Sequence, residues 1–366
     1  MHTATPRWPD PLCRPLVRLL SHPLIGSMLR LSAVEDLLAA LHPLLSLTEV
    51  RARVQRIDSE TADTKTLWLR PNALWRGARA GQFLRLRAEI DGRRVERAYS
   101  LSSTPGDALI AVTVKRQGLM STHLHERLRV GDVLTLSQAM GEFQLPEPPP
   151  RQLLMLSAGS GITPLMAMLR TLQAQRHAGS IEFVHLCRRP EELIFADELQ
   201  AMARHLPGLK LHLHYSMTAG RFDVRSLRSL VPDLADRPTW LCGPATLMDE
   251  VQALWAEEGF AAPLHSERFA AAPRKASAAL GTPVPVLAER SGRRFDSSSA
   301  GNLLEQAEAA GLSPKHGCRI GICASCQCTK RSGTVQNLQT GELCSEPDQT
   351  IRLCISAARS ELTLDL

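Results

Sequence analysis

The stretch RQLLMLSAGSGITPLMAMLRTLQAQ, residues 151–175, runs from an apolar segment through Gly159-Ser160-Gly161 into Pro164 and an apolar repeat of helical period. That order reads as strand, tight turn, helix. A glycine turn at this place aims backbone N–H groups and the positive end of a helix at an anion, commonly a pyrophosphate, although any βα unit can use one. The segments that follow repeat the theme: IEFVHLCRR (181–189), ADELQAMARHL (196–206), LKLHLHYSM (209–217) and TWLCGPATLMDEVQALWAEEGF (239–260). Strands and helices alternating at this spacing predict a parallel, doubly wound sheet. Ligands of such sheets collect beyond the carboxyl ends of the strands, where AGSGITP (158–164) and CGP (242–244) fall.

Upstream the rhythm changes. RVQRIDSETADTKTLWLRP (53–71), GQFLRLRAEI (81–90), ERAYSLSS (96–103), ALIAVTVKR (108–116) and GDVLTLSQAMGEF (131–143) are short alternating runs divided by Gly, Pro and Asp turns. They predict an antiparallel β-barrel. Downstream, AAAPRKASAALGTP (270–283) is rich in Ala, Pro and charge and marks a linker. Beyond it VPVLAERSGRRFDSS (284–298) reads as two strands around Ser291-Gly292, and NLLEQAEAAGL (302–312) as a short helix ended by Gly311.

CRIGICASCQC, residues 318–328, then places four of the chain's nine cysteines within eleven residues. Cys318, Cys323 and Cys326 follow C-x4-C-x2-C, and Cys354 arrives after twenty-seven further residues. Disulfides need an oxidising compartment, no secretory signal is readable in MHTATPRWPDPLCRPLVRLL, and an odd count leaves one thiol over. Zinc sites favour two paired knuckles. Three ligands in one loop and a distant fourth match the plant-type [2Fe-2S] spacing instead. Gly317, Gly321, Ala324 and Ser325 fit that reading, because small residues let backbone amides approach inorganic sulfur. Cys328 and Cys344 read as ordinary small thiols.

Composition bounds the rest. An apolar share of 44% with 22% charge suits ordinary globular packing, no run reaches membrane-spanning length, and the net charge of +6 comes without a basic helix or aromatic platform for nucleic acid. A cytoplasmic protein with reduced thiols is expected.

Taken together, RAYS (97–100), KRQGLMSTHLHERL (115–128), AGSGITP, CGP and ERF (267–269), in that order, resemble the ferredoxin–NADP reductase superfamily across residues 48–269. KHGCRIGICASCQCTKRSGTV (315–335) with LCISAA (353–358) resembles the plant-type ferredoxin module across residues 283–366. The resemblance implies a helical extension at 1–47, a flavin-binding β-barrel at 48–148, a nicotinamide-binding α/β domain at 149–269, a linker at 270–282 and an α+β β-grasp ferredoxin domain at 283–366. It implies FAD, with FMN left open, and a [2Fe-2S] cluster on Cys318, Cys323, Cys326 and Cys354.

Residue by residue, the resemblance puts the Tyr99 ring on the isoalloxazine, Ser100 at flavin N5 and Arg97 against flavin phosphate charge, with Gly118, Ser121 and Thr122 at the pyrophosphate. Gly159, Gly161, Thr163 and Pro164 line the nucleotide turn. Cys242 and Gly243 lie beside the nicotinamide, Glu267 and Phe269 near the flavin, and for Phe269 a plain core role stays open. Arginine at the end of the second strand accommodates a 2′-phosphate, so Arg188 and Arg189, helped by Arg221, favour NADPH, with NADH as the alternative.

The implied reaction is hydride transfer from NADPH to flavin N5, then single electrons through the cluster to a partner protein. Such reductases serve oxygenases, hydroxylases and membrane fatty-acid desaturases. LCRPLVRLLSHPLIGSMLRLSAVEDLLAALHPLLS (12–46) resembles the extension of the desaturase-serving type, which makes a desaturase the expected acceptor and a soluble oxygenase the alternative. For that extension, packing on the barrel and peripheral contact with the inner face of a membrane both stay open. A monomer is expected. A flavin and iron-sulfur redox sensor is the reading from another class.

Overall fold

The computed structural model describes residues 35, 37–38, 40–269, 283–297, 301–316, 321 and 325–366. It divides into two compact units, Met1–Glu267 and Arg268–Leu366. Among the described residues no helix is long and apolar enough to cross a membrane.

The first unit opens with the barrel. Strands β1 (Val50–Thr61), β2 (Thr64–Pro71), β3 (Phe83–Ile90), β4 (Arg93–Ser100), β5 (Ile110–Lys115) and β6 (Val133–Leu136) form an antiparallel sheet in the order β4-β3-β6-β1-β2-β5. Its two edges meet. Leu101 bridges Val112 and Ser102 N–H donates to the Ala111 carbonyl at 2.9 Å, so the sheet curls round a core that includes Val54, Leu67, Leu84, Leu86, Val112 and Leu134. Helix α1 (Leu119–Glu126) covers one end, burying Met120 and Leu124.

The second half of this unit is the doubly wound sheet. β7 (Gln152–Ala158), β8 (Ser180–Cys187), β9 (Leu209–Tyr215), β10 (Thr239–Cys242) and β11 (Leu264–Glu267) are all parallel in the order β11-β10-β7-β8-β9. Helices α2 (Ile162–Ala174), α3 (Ala196–His205) and α4 (Ala245–Glu258) connect them. Strand order reverses between β7 and β10, and a crevice opens at the carboxyl ends there. The turn after β7 and the turn after β10 are the two glycine motifs.

The last described part of the extension packs on the barrel. Leu38, Leu44 and Leu45 are buried, the Glu35 carboxylate accepts from the Leu47 and Thr48 amides at 2.7 and 3.1 Å, and Asn72 Nδ2 donates to the Leu44 carbonyl at 3.1 Å. The remainder, residues 1–34, lies outside the described residues.

In the C-terminal unit β12 (Val284–Ala288), β13 (Arg293–Ser297), β14 (Gln327–Ser332), β17 (Gln349–Arg352) and β19 (Leu362–Leu364) form one mixed sheet. β15 (Val335–Asn337), β16 (Leu343–Cys344) and β18 (Ser356–Ala358) form a second. Helix α5 (Leu303–Ala309) starts at Asn302, whose side chain accepts from the Glu305 amide, and it buries Leu303, Leu304 and Ala307. Gly311 ends it in the left-handed conformation at φ 78°. A parallel β12–β19 pair with a helix across it is the β-grasp arrangement.

Candidate functional site

The two glycine turns press directly on one another. A Cβ on Gly161 would fall inside the Cys242 carbonyl and 2.9 Å from Gly243 N, and one on Gly243 would meet Ala158 Cβ at 3.2 Å. Gly159 takes the left-handed conformation at φ 53°, which lets the chain leave β7 and enter α2 within three residues. Thr163 Oγ1 donates to the Ser160 carbonyl at 3.1 Å and Thr163 and Pro164 are buried in the first turn of α2, so both act by shaping the turn.

Beside this turn lies a cavity of about 590 Å³ lined in part by Lys115, Gly159, Arg188, Arg221, Pro244 and Thr246. Arg188 and Arg221 therefore share one cavity with the phosphate-type turn. Arg221 also pairs with Glu250 on α4. Arg189 is exposed next to Arg188. Lys115, Pro244, Thr246 and Glu250 were not singled out from sequence, although Pro244 and Thr246 directly continue the CGP turn and Lys115 ends β5 facing the same cavity. Proximity in the chain was the available signal for the first two. Lys115 opens the KRQGLMSTHLHERL motif, but nothing local in that motif brings it to a cavity shared with the other domain.

At the strand ends a lateral row of polar residues crosses the sheet. The parallel register pairs Glu267 with Cys242, Cys242 with Ser157, and Ser157 with His185. All four are buried. Ser157 Oγ and His185 Nδ1 are 2.8 Å apart, and burial pushes the imidazole down to about 3, so it is neutral. Burial pushes the Glu267 carboxyl up to about 8, and its Oε2 has no hydrogen-bond partner among the described residues. Burial first, and the Glu267 carboxyl second, raise the Cys242 thiol well above its ordinary value. Both effects favour the neutral thiol.

On the barrel, Tyr99 and Ser100 end β4. The Tyr99 ring packs on the barrel core, and burial raises its phenol, which the nearby Arg97 partly offsets. Ser100 is buried and its Oγ has no partner among the described residues. A buried hydroxyl left open in this way costs stability unless a ligand fills it, and a flavin edge has the acceptor and donor atoms to do so. Arg97 is exposed, with Nη1 on the Glu96 carbonyl.

In the α1 segment, expected to meet the flavin pyrophosphate, one side chain braces the helix start. Ser121 Oγ accepts from the Gln117 and Gly118 amides at 2.8 and 2.9 Å and donates to the Gly118 carbonyl at 3.0 Å. The hydroxyl is therefore engaged in holding the helix start, where the Thr122 amide also donates to the Gly118 carbonyl at 2.8 Å. Gly118 is extended, with open space where a Cβ would go. Phe269 belongs to the C-terminal unit, with 37% of its surface exposed.

Of the four cysteines expected to ligate the cluster, Cys318 and Cys323 lie outside the described residues. Cys326 and Cys354 come together, with Sγ atoms 3.2 Å apart and buried, and the Gly321 amide points at Cys354 Sγ at 3.2 Å. Gly321 sits at φ 83° against the Ile355 side chain, so no larger residue fits. Convergent buried thiols served by a backbone amide fit thiolate ligation of an iron-sulfur cluster. Cys328 is buried, and Cys344 is half-buried in β16.

Comparison with known proteins agrees with this division. Residues 51–145 match the oxidoreductase FAD-binding domain, residues 155–253 the oxidoreductase NAD-binding domain, and residues 286–359 the 2Fe-2S iron-sulfur cluster binding domain. An NADPH oxidoreductase of Mycobacterium tuberculosis is 36% identical, matching 91% of this chain and 88% of its own. The glycine betaine monooxygenase reductase subunit of Chromohalobacter salexigens is 29% identical over 86% of this chain and 94% of its own. A relative from Escherichia coli, 34% identical over 79% of this chain and 89% of its own, is an NADH oxidoreductase. Among solved structures, phthalate dioxygenase reductase matches 87% of this chain and 98% of its own at 26% identity and a TM-score of 0.59.

Proposed function

The chain belongs to the ferredoxin–NADP reductase superfamily, in the group that carries a C-terminal 2Fe-2S domain, and from that premise we propose that it takes electrons from NADPH and delivers them to an oxygen-activating partner protein. It is an oxidoreductase that uses FAD, a nicotinamide nucleotide and a [2Fe-2S] cluster. The observation that carries the nucleotide choice is Arg188 and Arg221 in one cavity with the Gly159 turn, where a 2′-phosphate would gain charge-assisted bonds of about 1.5–3 kcal/mol each.

Bound flavin turns a two-electron hydride into single electrons, and a bound cluster carries these one at a time. The chain's own residues prepare that exchange. Gly159 and Gly161 let the backbone approach the nucleotide phosphates. Cys242 gives the nicotinamide a neutral wall. Ser100 offers its open hydroxyl to the flavin edge. Glu267, neutral below about pH 8, puts no negative charge where hydride must arrive. Cys318, Cys323, Cys326 and Cys354 hold the cluster.

An oxygenase or monooxygenase component is the acceptor best supported, since relatives and a solved neighbour are reductases of that kind. A membrane fatty-acyl desaturase is the second reading, favoured by residues 1–47. The match to the mycobacterial NADPH oxidoreductase leaves about a tenth of this chain uncovered, less than the extension, so it reaches into that segment. The 86% match to the monooxygenase reductase has no such need. Reconstitution separates the readings: purified protein is given NADPH and either a Rieske-type oxygenase component or desaturase-bearing membranes, with and without residues 1–34. Turnover with the soluble component that ignores the truncation supports the oxygenase reading; turnover only with membranes, lost on truncation, replaces it. In the same assay Arg188→Ala with Arg189→Ala should raise KM for NADPH at least ten-fold more than for NADH, and an equal effect on both would refute the assigned selector.

A further inference from the structure

Helix α2 begins at the nucleotide turn and, two turns on, grips the flavin barrel. Arg170, its side chain 10% exposed, donates through Nε to Glu198 Oε1 on α3 at 2.8 Å and through Nη2 to the other carboxylate oxygen. Its Nη1 donates to the backbone carbonyl of Ser102, in the barrel. The guanidinium lies 4.9 Å from the Phe195 ring centre and 5.9 Å from that of Trp68 on β2. Phe195 adopts the left-handed conformation at φ 61°, rare for an aromatic residue, and its buried ring is held under the cation.

The far end of this contact is also fixed. Ser102 is fully buried, its Oγ 2.9 Å from Thr113 Oγ1, which is 2.9 Å from Thr66 Oγ1, and Thr66 donates to Glu60 at 2.6 Å. Two residues before Ser102 stands Ser100, with its open hydroxyl. Elsewhere along α2, Met168 fills the space that a Cβ on Gly81 would need, and Ala80, Phe143 and Leu145 of the barrel side join the same core as Met168. The apolar contact holds the two domains together. The Arg170 fork adds direction, because a planar guanidinium bonded on two sides and lying over rings fixes angle as well as distance.

We propose that Arg170 is a positioning residue for hydride transfer: it ties the helix of the nucleotide turn to the Ser100–Ser102 segment and so sets the approach of nicotinamide to flavin. Arg170 does not line the cavity beside the Gly159 turn. The proposal rests on the barrel being the flavin-binding domain, and errors near 1 Å in such an approach cost about a hundred-fold in rate.

Full-length holoprotein carrying Arg170→Gln is compared with wild type for flavin content, NADP+ affinity, the NADP+-induced change in flavin absorbance, and the single-turnover rate of flavin reduction by NADPH. The expected result is full flavin content, affinity within two-fold, a diminished absorbance change, and a reduction rate lower by roughly ten- to a hundred-fold. Arg170→Lys, which keeps charge but loses the fork, should recover only part of the rate. An unchanged rate in Arg170→Gln, or a loss matched by equal loss of flavin or nucleotide affinity, overturns the proposal; so does a wild-type rate in Arg170→Lys. Should Arg170→Gln not fold, Glu198→Gln, which loosens the fork from its half-exposed partner, carries the same comparison. Ser100→Ala is run beside them: if it alone behaves as wild type while Arg170→Gln is slow, the flavin assignment of Ser100 fails and the clamp stands.

Discussion

Glu267 shows how a single side chain acquires a chemistry its type does not announce. Read in sequence, it is one acid in ERF; in the fold it ends β11 beside Cys242, buried, with one oxygen unpartnered among the described residues and its carboxyl pushed up to about 8 by burial. The sign of its effect on stability follows. Below about pH 4.5 folded and unfolded chains both hold this proton; between 4.5 and 8 the unfolded chain has released it while the folded chain keeps it, so the stability contribution falls through that window. Glu267→Gln removes the titration. Relative to wild type the variant should gain on the order of 1–3 kcal/mol between pH 5 and pH 8 in urea unfolding. A constant difference across that range would show that the carboxyl ionises normally. Burial of this kind is set by four strands meeting, which is why the residue type was legible and its protonation was not.

Among the elements, the glycine turns were the most legible part of the site, because their conformational demands are local. Gly159, Gly161 and Gly243 stand where the strand–turn–helix reading puts them, and the barrel strands follow their alternation. Contacts that depend on two distant segments were not legible. The Glu267–Cys242–Ser157–His185 row needs the register of four strands, and the grip of Arg170 on Ser102 needs the docking of one domain on another. That Ser121 braces the start of α1, its hydroxyl accepting from the Gln117 and Gly118 amides, was likewise not legible. Two glycine substitutions separate packing from ligand approach. Gly161→Ala would set a methyl into the Cys242 backbone, which cannot rotate away, so it should lose about 2–3 kcal/mol of stability together with nucleotide binding. Gly118→Ala meets open space and an extended backbone, and should leave stability within about 0.5 kcal/mol. Chemical denaturation with parallel NADP+ and flavin titrations measures both. If Gly118→Ala keeps its stability but sheds flavin, the loss reports ligand approach to that turn; if Gly161→Ala is as stable as wild type, the close packing of the two turns is refuted.

At the scale of the whole molecule, the chain consists of a flavin and nucleotide unit up to Glu267 and a cluster unit from Arg268. The expected linker at 270–282 lies outside the described residues, and the fate of the extension was not legible. Its amphipathic pattern suits a membrane face or a protein face equally, and only the burial of Leu38, Leu44 and Leu45 shows that its final turn packs on the barrel. The central claim is that the two units perform separable steps, two-electron uptake in the first and one-electron delivery from the second. Cys326→Ser tests this most directly, because it removes a cluster ligand and leaves the first unit untouched. The measurement is NADPH oxidation with ferricyanide and with cytochrome c as acceptors, alongside assays of flavin, iron and acid-labile sulfide. Wild-type flavin content and ferricyanide reduction, with iron and sulfide lost and cytochrome c reduction down at least ten-fold, is the result predicted. Full iron and sulfide in the variant, or an equal fall with both acceptors, would contradict it.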